Sequence, residues 1–367
     1  MNIFRGHGEF AAFAESKREQ RTLIVSDVNT RCFSLPVLSL LRGVGCRIAE
    51  YQFPEKHLVP EIENLTDLQE RALDCAYILG VGSGVVNDIC KYVSSVTEIP
   101  YGILATAPSM DGYVSSVSAL YKHGKKVTLP STVPQDVLID TEILRNAPLD
   151  MIVAGAGDMI GKYTSLSDWK LAHALTGEFY DADIVARMER ALALCIRSAD
   201  RLSARDPSAV SALIEGLILS GAEMQNAGNS RPASGSEHHI SHYLEMAGER
   251  RGIDFAPHGI KVALGCLVVT YLYHKAASLP ELQPIRADID KLESVERLEK
   301  LYKTVGLPGT FVEIGVDRAL LKETVENAHT VRDRFTILTL LSDKGVLREW
   351  SDEICDRFGG YGKGEGL

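Results

Sequence analysis

Two rhythms of apolar positions divide the chain. Up to about residue 155, short apolar runs at 22–26, 46–51, 76–81 and 101–106 predict strands. Between them, apolar positions at helical spacing predict helices over 37–42, 65–74 and 85–95, and Pro36 suits the start of the first. Strand–helix alternation of this kind implies βαβ units and a parallel sheet. The stretch from 122 to 140 reads as a hairpin excursion, with strands over 126–130 and 136–140.

Beyond that point strand signals almost vanish. Helical spacing recurs over 186–201, 209–225, 237–249, 260–277, 295–305 and 317–328. The expected architecture is therefore an α/β N-terminal domain with a parallel, Rossmann-like sheet (residues 1–155), followed by an all-α C-terminal domain (residues 156–367). The glycine-rich end, 358–366, reads as a frayed tail.

Composition narrows the function. The 367 residues are 45% hydrophobic and 24% charged, as in ordinary globular proteins, with a net charge of −10. An acidic chain argues against a general nucleic-acid surface, whereas an anionic small substrate stays compatible with a local positive potential. No apolar run has the length of a membrane span, and the N-terminus lacks a signal-peptide core. The seven cysteines are scattered and form no CxxC pair, which reads as reduced thiols in a cytoplasmic protein.

Two regions carry candidate chemistry. After the strand over 76–79 comes Gly80-Val-Gly-Ser-Gly-Val-Val-Asn-Asp, where glycines and a helix start can place free N–H groups against a phosphate. The spacing departs from GxGxxG, so a purely structural turn stays open. The next strand ends in Thr106-Ala-Pro-Ser-Met-Asp-Gly; Thr106, Ser109 and Ser115 offer hydroxyls, and Asp111 before a glycine also suits a turn.

In the helical half, Asp158 is read as opening the first helix, where an N-cap role is the plain alternative. Lys162, four residues on, is either its ion-pair partner or a phosphate-binding cation. In Ser234-Gly-Ser-Glu-His-His-Ile-Ser-His, Ser236 is the expected cap, His238 and His242 share a helix face, and His239 points away as a solvent or packing residue. His258 precedes Gly259 at the next helix start. Asp158, His238 and His258, taken from three helix starts, can converge on a divalent cation with a position left open, and His242 is then free to move protons.

These segments together resemble the sn-glycerol-1-phosphate dehydrogenases, of the metal-dependent superfamily that includes glycerol dehydrogenase, iron-containing alcohol dehydrogenases and dehydroquinate synthase. The look is that of the bacterial AraM-like branch, and it extends from about Thr22 to Leu338, where Arg332-Asp-Arg-Phe-Thr-Ile-Leu is similar to a C-terminal family pattern. The resemblance implies a dehydroquinate synthase-like fold, an NAD(P)H cofactor, one divalent metal (zinc, with nickel permitted), a small phosphorylated three-carbon substrate and a homo-oligomer. It implies metal ligation by Asp158, His238 and His258. Asp111, His242 and Asp158 match substrate-contacting, catalytic positions. Gly84, Val85, Val86, Asn87, Asp88, Thr106, Ala107, Pro108, Ser109 and Ser115 match dinucleotide contacts. Many relatives have His-Gly-Glu where this chain has His258-Gly259-Ile260, a departure that bears on substrate tuning.

The expected reaction interconverts dihydroxyacetone phosphate and sn-glycerol 1-phosphate, a step toward membrane-lipid precursors. The rivals are a polyol dehydrogenase on unphosphorylated substrate, a dehydroquinate synthase-like cyclase, and a non-catalytic binding protein. Asp27, after the first predicted strand, weakly disfavours a 2′-phosphate on the cofactor.

Overall fold

Eight strands, all in the N-terminal part, form two sheets in a computed structural model that describes residues 1–361. In chain order this part runs β1 (Asn2–Arg5), α1 (Gly6–Ser16), β2 (Arg21–Asp27), α2 (Leu35–Gly43), β3 (Arg47–Phe53), α3 (Thr66–Leu73), β4 (Tyr77–Gly82), α4 (Gly84–Thr97) and β5 (Tyr101–Ala105). It continues with β6 (Val117–Lys122), β7 (Lys125–Pro130), β8 (Asp136–Ile139), α5 (Thr141–Arg145) and α6 (Leu149–Ile160). Six strands make a wholly parallel sheet in the order β1-β8-β5-β4-β2-β3.

Both faces of this sheet are covered. Successive residues of β2 serve opposite cores: Leu23 and Val25 pack with Ile78, Ile89 and Val93 of one cluster, and Ile24 with Phe13, Leu38 and Leu79 of the other. That is why the strands read as unbroken apolar runs rather than alternating ones. Each fully buried large aliphatic side chain contributes about 1.5–3 kcal/mol.

The hairpin is placed differently from the sequence expectation. It pairs β6 with β7, and β8 instead enters the main sheet between β1 and β5. The burial pattern explains this: all four residues of β8 are buried, as a two-sided parallel strand requires, whereas no residue of β7 is buried. The edge strand β1, which the sequence reading passes over, has only Ile3 and Phe4 as apolar residues, too few to set a period.

The chain separates into two compact units, Met1–Ile152 and Val153–Leu367. The second is built from α7 (Lys162–Thr176), α8 (Ala182–Arg197), α9 (Pro207–Ala227), α10 (Ser236–Arg251), α11 (His258–Ala276), α12 (Arg286–Ile289), α13 (Val295–Val305), α14 (Arg318–Asn327), α15 (Ile337–Asp343) and α16 (Val346–Phe358). Side-chain caps fix several starts: Asp181, Asp206, Ser294 and Asp317 each accept a backbone N–H of the following first turn. The centre of the unit is α11, buried on nearly every side. Among the described residues no single helix is long and apolar enough to cross a membrane.

The expected frayed tail is ordered where it is described. Phe358 is buried, its carbonyl accepts the Phe311 N–H at 3.0 Å, and the Gly359 carbonyl accepts that of Val312 at 3.0 Å. The Tyr361 hydroxyl donates to the Val316 carbonyl at 2.9 Å. The rest of that stretch, 362–366, lies outside the described residues.

Candidate active site

Asp158, His238 and His258 converge: one ligand atom from each lies within 4.8 Å of the others. Glycines make this possible. A Cβ on Gly157 would sit 2.3 Å from the Gly259 carbonyl oxygen, and one on Gly259 would sit 1.9 Å from that of Ala154. Helices α6 and α11 therefore touch backbone to backbone, directly beside Asp158 and His258. On α11, a Cβ on Gly265 would come within 2.6 Å of the Glu237 carbonyl oxygen, which seats the first turn of α10 and its His238 against the same helix.

Asp158 is not at a helix start. It lies in the last turns of α6, because the small residues Gly155-Ala-Gly157 continue that helix against α11 instead of breaking it. A carboxylate near a helix C-terminus is poorly placed for the macrodipole. Lys162 compensates: its ammonium is 3.0 Å from Asp158 Oδ1 and 3.0 Å from the Ala233 carbonyl, and both side chains are buried. Burial alone would raise the Asp158 pKa, but Lys162, His238 and His258 outweigh it and hold the carboxyl far below its usual range.

His238 faces Asp158 Oδ1 through Nε2 at 3.5 Å, and its Nδ1 is 2.8 Å from Glu237 Oε1. Burial opposes its protonation, but the two carboxylates win and raise its pKa. His258 Nδ1 is 2.8 Å from Glu245 Oε1, and His242 Nδ1 is 3.1 Å from Glu245 Oε2. One carboxylate thus bridges two imidazoles whose ring centres are 5.3 Å apart. Nδ1 of each ring is assigned as the protonated nitrogen from this network, which leaves Nε2 of each as the acceptor. Burial pushes His242 down to about 3, Glu245 opposing and Arg332 and His258 adding to the effect, so this ring is neutral at ordinary pH. His242 Nε2 is 3.0 Å from Nη2 of Arg332.

The first turn of α10 is held by carboxylates. Asp168 Oδ2 accepts the Ser236 N–H at 2.6 Å, and Glu237 Oε1 accepts that of Gly235 at 2.6 Å. Ser236 is consequently not the cap: Gly235 takes that place, and the Ser236 hydroxyl is buried without a hydrogen-bond partner. His239 is fully buried, so it is a packing residue and not a solvent one, and neither ring nitrogen has a hydrogen-bond partner.

In the N-terminal unit, the glycine turn follows β4 as expected. A Cβ on Gly82 would meet Val86 Cβ at 2.5 Å, so this glycine lets α4 pack closely on the strand. Gly84 opens α4 after Ser83, and a Cβ there would meet the Met110 side chain at 3.6 Å, an ordinary contact. The turn and the Thr106 loop lie side by side at the carboxyl ends of β4 and β5, where the Thr106 N–H donates to the Gly82 carbonyl at 3.1 Å. Thr106, Ala107, Pro108, Asp111 and Ser115 are buried, Ser109 is half-buried, and Val85 is exposed.

Several of these side chains serve the fold itself. Asn87 donates to the Tyr113 carbonyl at 3.2 Å, and Asp88 pairs with the buried Lys91 at 3.3 Å. Lys91 also donates to Ser115 Oγ at 3.0 Å. At the end of β2, the Asp27 carboxylate accepts the N–H groups of Asn29 and Thr30, each at 2.8 Å.

Sequence reasoning missed Glu237, Glu245, Asp168, Lys91, Arg332 and Arg334. Glu245 has a local signal, since it follows His242 by three residues on one helix face. The arginines stand in the C-terminal pattern noted above, but no role could be read for them there, because they reach these histidines from some ninety residues away in sequence.

Residues 7–148 match the family of iron-containing alcohol dehydrogenases. The chain is 36% identical over 280 residues to a Bacillus licheniformis protein named glycerol-1-phosphate dehydrogenase (NAD(P)+), covering 75% of this chain and 70% of that one. It is 32% identical over 353 residues to a protein of the same name from Bacillus subtilis, covering 91% and 88%. The crystal structure of a probable glycerol dehydrogenase from Sinorhizobium meliloti superposes with a TM-score of 0.70 at 20% identity, over 96% of this chain and 97% of that one, and so has the same fold. With a relative of this identity aligned over most of its length, the chain belongs to the glycerol-1-phosphate dehydrogenase family.

Proposed function

We propose that this protein is a metal-dependent, NAD(P)-linked dehydrogenase that interconverts dihydroxyacetone phosphate and sn-glycerol 1-phosphate. The observation that carries the reading is the convergence of Asp158, His238 and His258 in a chain of this family. The donor set fits a divalent cation: one ionised carboxylate and two imidazoles, each ring with its Nδ1 held by a carboxylate and its Nε2 left as a donor atom. Two nitrogens and one oxygen suit zinc, which we take as the metal, with nickel second. When bound, the cation would polarise the ketone and NAD(P)H would supply the hydride.

The chain's own residues do the rest. Asp158 and Lys162 place one net-neutral pair beside the donor atoms, so a cation entering there finds the carboxylate already ionised. His242, neutral and oriented by Glu245, would hold or move the proton of the substrate hydroxyl at Nε2. Asp111 is assigned a substrate contact. The dinucleotide phosphates are assigned to the backbone N–H groups of Gly84, Val85 and Val86 at the start of α4, and to the Thr106-Ala107-Pro108-Ser109 loop. Asn87, Asp88 and Ser115 then support that cradle from behind, consistent with their internal hydrogen bonds. Seven free cysteines fit a reducing compartment, and we assign the protein to the cytoplasm.

The test is NADH and NADPH oxidation by zinc-loaded protein, with dihydroxyacetone phosphate beside dihydroxyacetone. Turnover confined to the phosphorylated ketone is expected. Turnover confined to the free ketone would make this a polyol dehydrogenase, and silence with both, despite bound zinc, would refute the reading.

A further inference from the structure

The cations around the candidate centre are not equivalent. Lys162 is committed to Asp158, Lys261 lies 3.5 Å from Glu245, and Arg231 is paired with Glu178 at 2.7 Å. Arg332 and Arg334 have neutral partners only. Arg332 touches His242 Nε2 at 3.0 Å and Ser234 Oγ at 3.5 Å. Arg334 donates to the Ser234 carbonyl at 2.7 Å and to Ser230 Oγ at 2.9 Å. Among the described residues no carboxylate lies within ion-pair distance of either guanidinium. Both are partly buried.

Withdrawing two like charges from water to serve neutral acceptors is unfavourable unless an anion joins them. Protein carboxylates act on the two guanidiniums only from beyond pairing distance, Glu245 on Arg332, and Glu178 and Glu237 on Arg334. The nearby carboxylates are spoken for: Asp168 and Glu237 hold the start of α10, and Glu245 holds two imidazoles. The helix start is thereby also closed to an outside anion. The adjacent His239, buried with two unpartnered ring nitrogens, feels the charge of both arginines.

We propose that Arg332 and Arg334 form an anion subsite beside the candidate metal centre, which takes the phosphate monoester of the substrate. This rests on the functional reading above and supplies what it lacks, a recognition element for the phosphate. It also replaces Lys162 in that role. Two guanidiniums match the oxygens of a phosphate in bidentate geometry, which a lysine cannot. Because Arg332 also touches His242, an anion drawing on Arg332 competes with that hydrogen bond and frees Nε2.

The experiment uses zinc-loaded protein with Arg332→Met, Arg334→Met and the corresponding lysine variants, their folding checked by circular dichroism. The ratio of kcat/KM for dihydroxyacetone phosphate over dihydroxyacetone should fall about 10- to 100-fold in each methionine variant, mainly through KM, with partial rescue by lysine. An unchanged ratio in folded variants overturns the subsite. In parallel, inorganic phosphate at constant ionic strength should raise the thermal midpoint of the parent protein and not of the methionine variants. This second readout stands even when neither ketone is turned over. A phosphate effect lost with the arginines then keeps the subsite while the reaction assignment falls, and a phosphate effect equal in all proteins overturns the subsite.

Discussion

Replacing Lys162 with methionine separates the roles of charge at the candidate centre. Methionine keeps most of the side-chain volume and removes the ammonium that lies 3.0 Å from Asp158 Oδ1, with both groups shut off from solvent. At an effective dielectric of 20, two unit charges at this distance attract by roughly 5–6 kcal/mol. Removing one partner of a buried pair typically costs about 3–5 kcal/mol, because the other charge is left uncompensated. In EDTA the variant should lose stability on that scale. With zinc bound, the cation supplies the missing countercharge and the loss should shrink. Zinc affinity itself should rise, since a competing positive charge is gone. The assay is urea unfolding followed by tryptophan fluorescence, which reports the C-terminal unit selectively because Trp169 and Trp350 both lie there. Equal losses in EDTA and in zinc would show that the ammonium does not stand in for a cation, and the assignment of the centre would fail with it.

Further outcomes follow from other contacts. Glu245→Gln should weaken zinc binding about 10- to 100-fold in a chelator competition, because the carboxylate orients His258, and unchanged affinity would refute that role. Gly259→Ala forces a Cβ to within 1.9 Å of the Ala154 carbonyl, so it should cost at least about 1–3 kcal/mol in urea unfolding and lower zinc affinity as the helices part. In native protein a thiol reagent should label Cys32, the exposed cysteine, rapidly; Cys195 and Cys266, which burial pushes up to about 12, should react only on unfolding. Burial holds folded His242 at about 3 and folded His239 at about 2, so below pH ~6.5 the unfolded chain takes up protons that the folded one refuses. Metal-free protein should therefore lose about 1.4 kcal/mol per pH unit for each of the two between pH ~6 and ~5, where His238 is already protonated in both states; a flat profile there would contradict their burial as neutral rings.

The parallel sheet could be read from the chain because its strands are apolar on both faces and its helices intervene, so two independent periodicities agree. Strand β8 misled for the opposite reason: the four residues from Asp136 to Ile139 form too short a run to reveal which sheet they join, and sequence proximity favoured the hairpin. The candidate residues His238, His242 and His258, which the structure brings together, stood out as imidazoles at i and i+4 and before a glycine. The position of Asp158 did not, since the glycines around it look like a helix break until α11 is seen resting on them. Arg332 and Arg334 illustrate the limit: their meaning lies in what they do not touch, and no local pattern records the absence of a carboxylate.

The buried Asp168 ties partners far apart in the chain. It accepts the Ser236 N–H, the Tyr273 hydroxyl and the Ile337 N–H, across sequence separations of 68, 105 and 169 residues. A nascent chain therefore reaches the ribosome exit with the histidine-bearing helices synthesised but their anchor incomplete. The third of these hydrogen bonds can form only once the segment around Ile337 has emerged, some eighty residues after His258. A chain cut short before α15 should therefore leave Asp168 without its Ile337 partner and the start of α10 less firmly held.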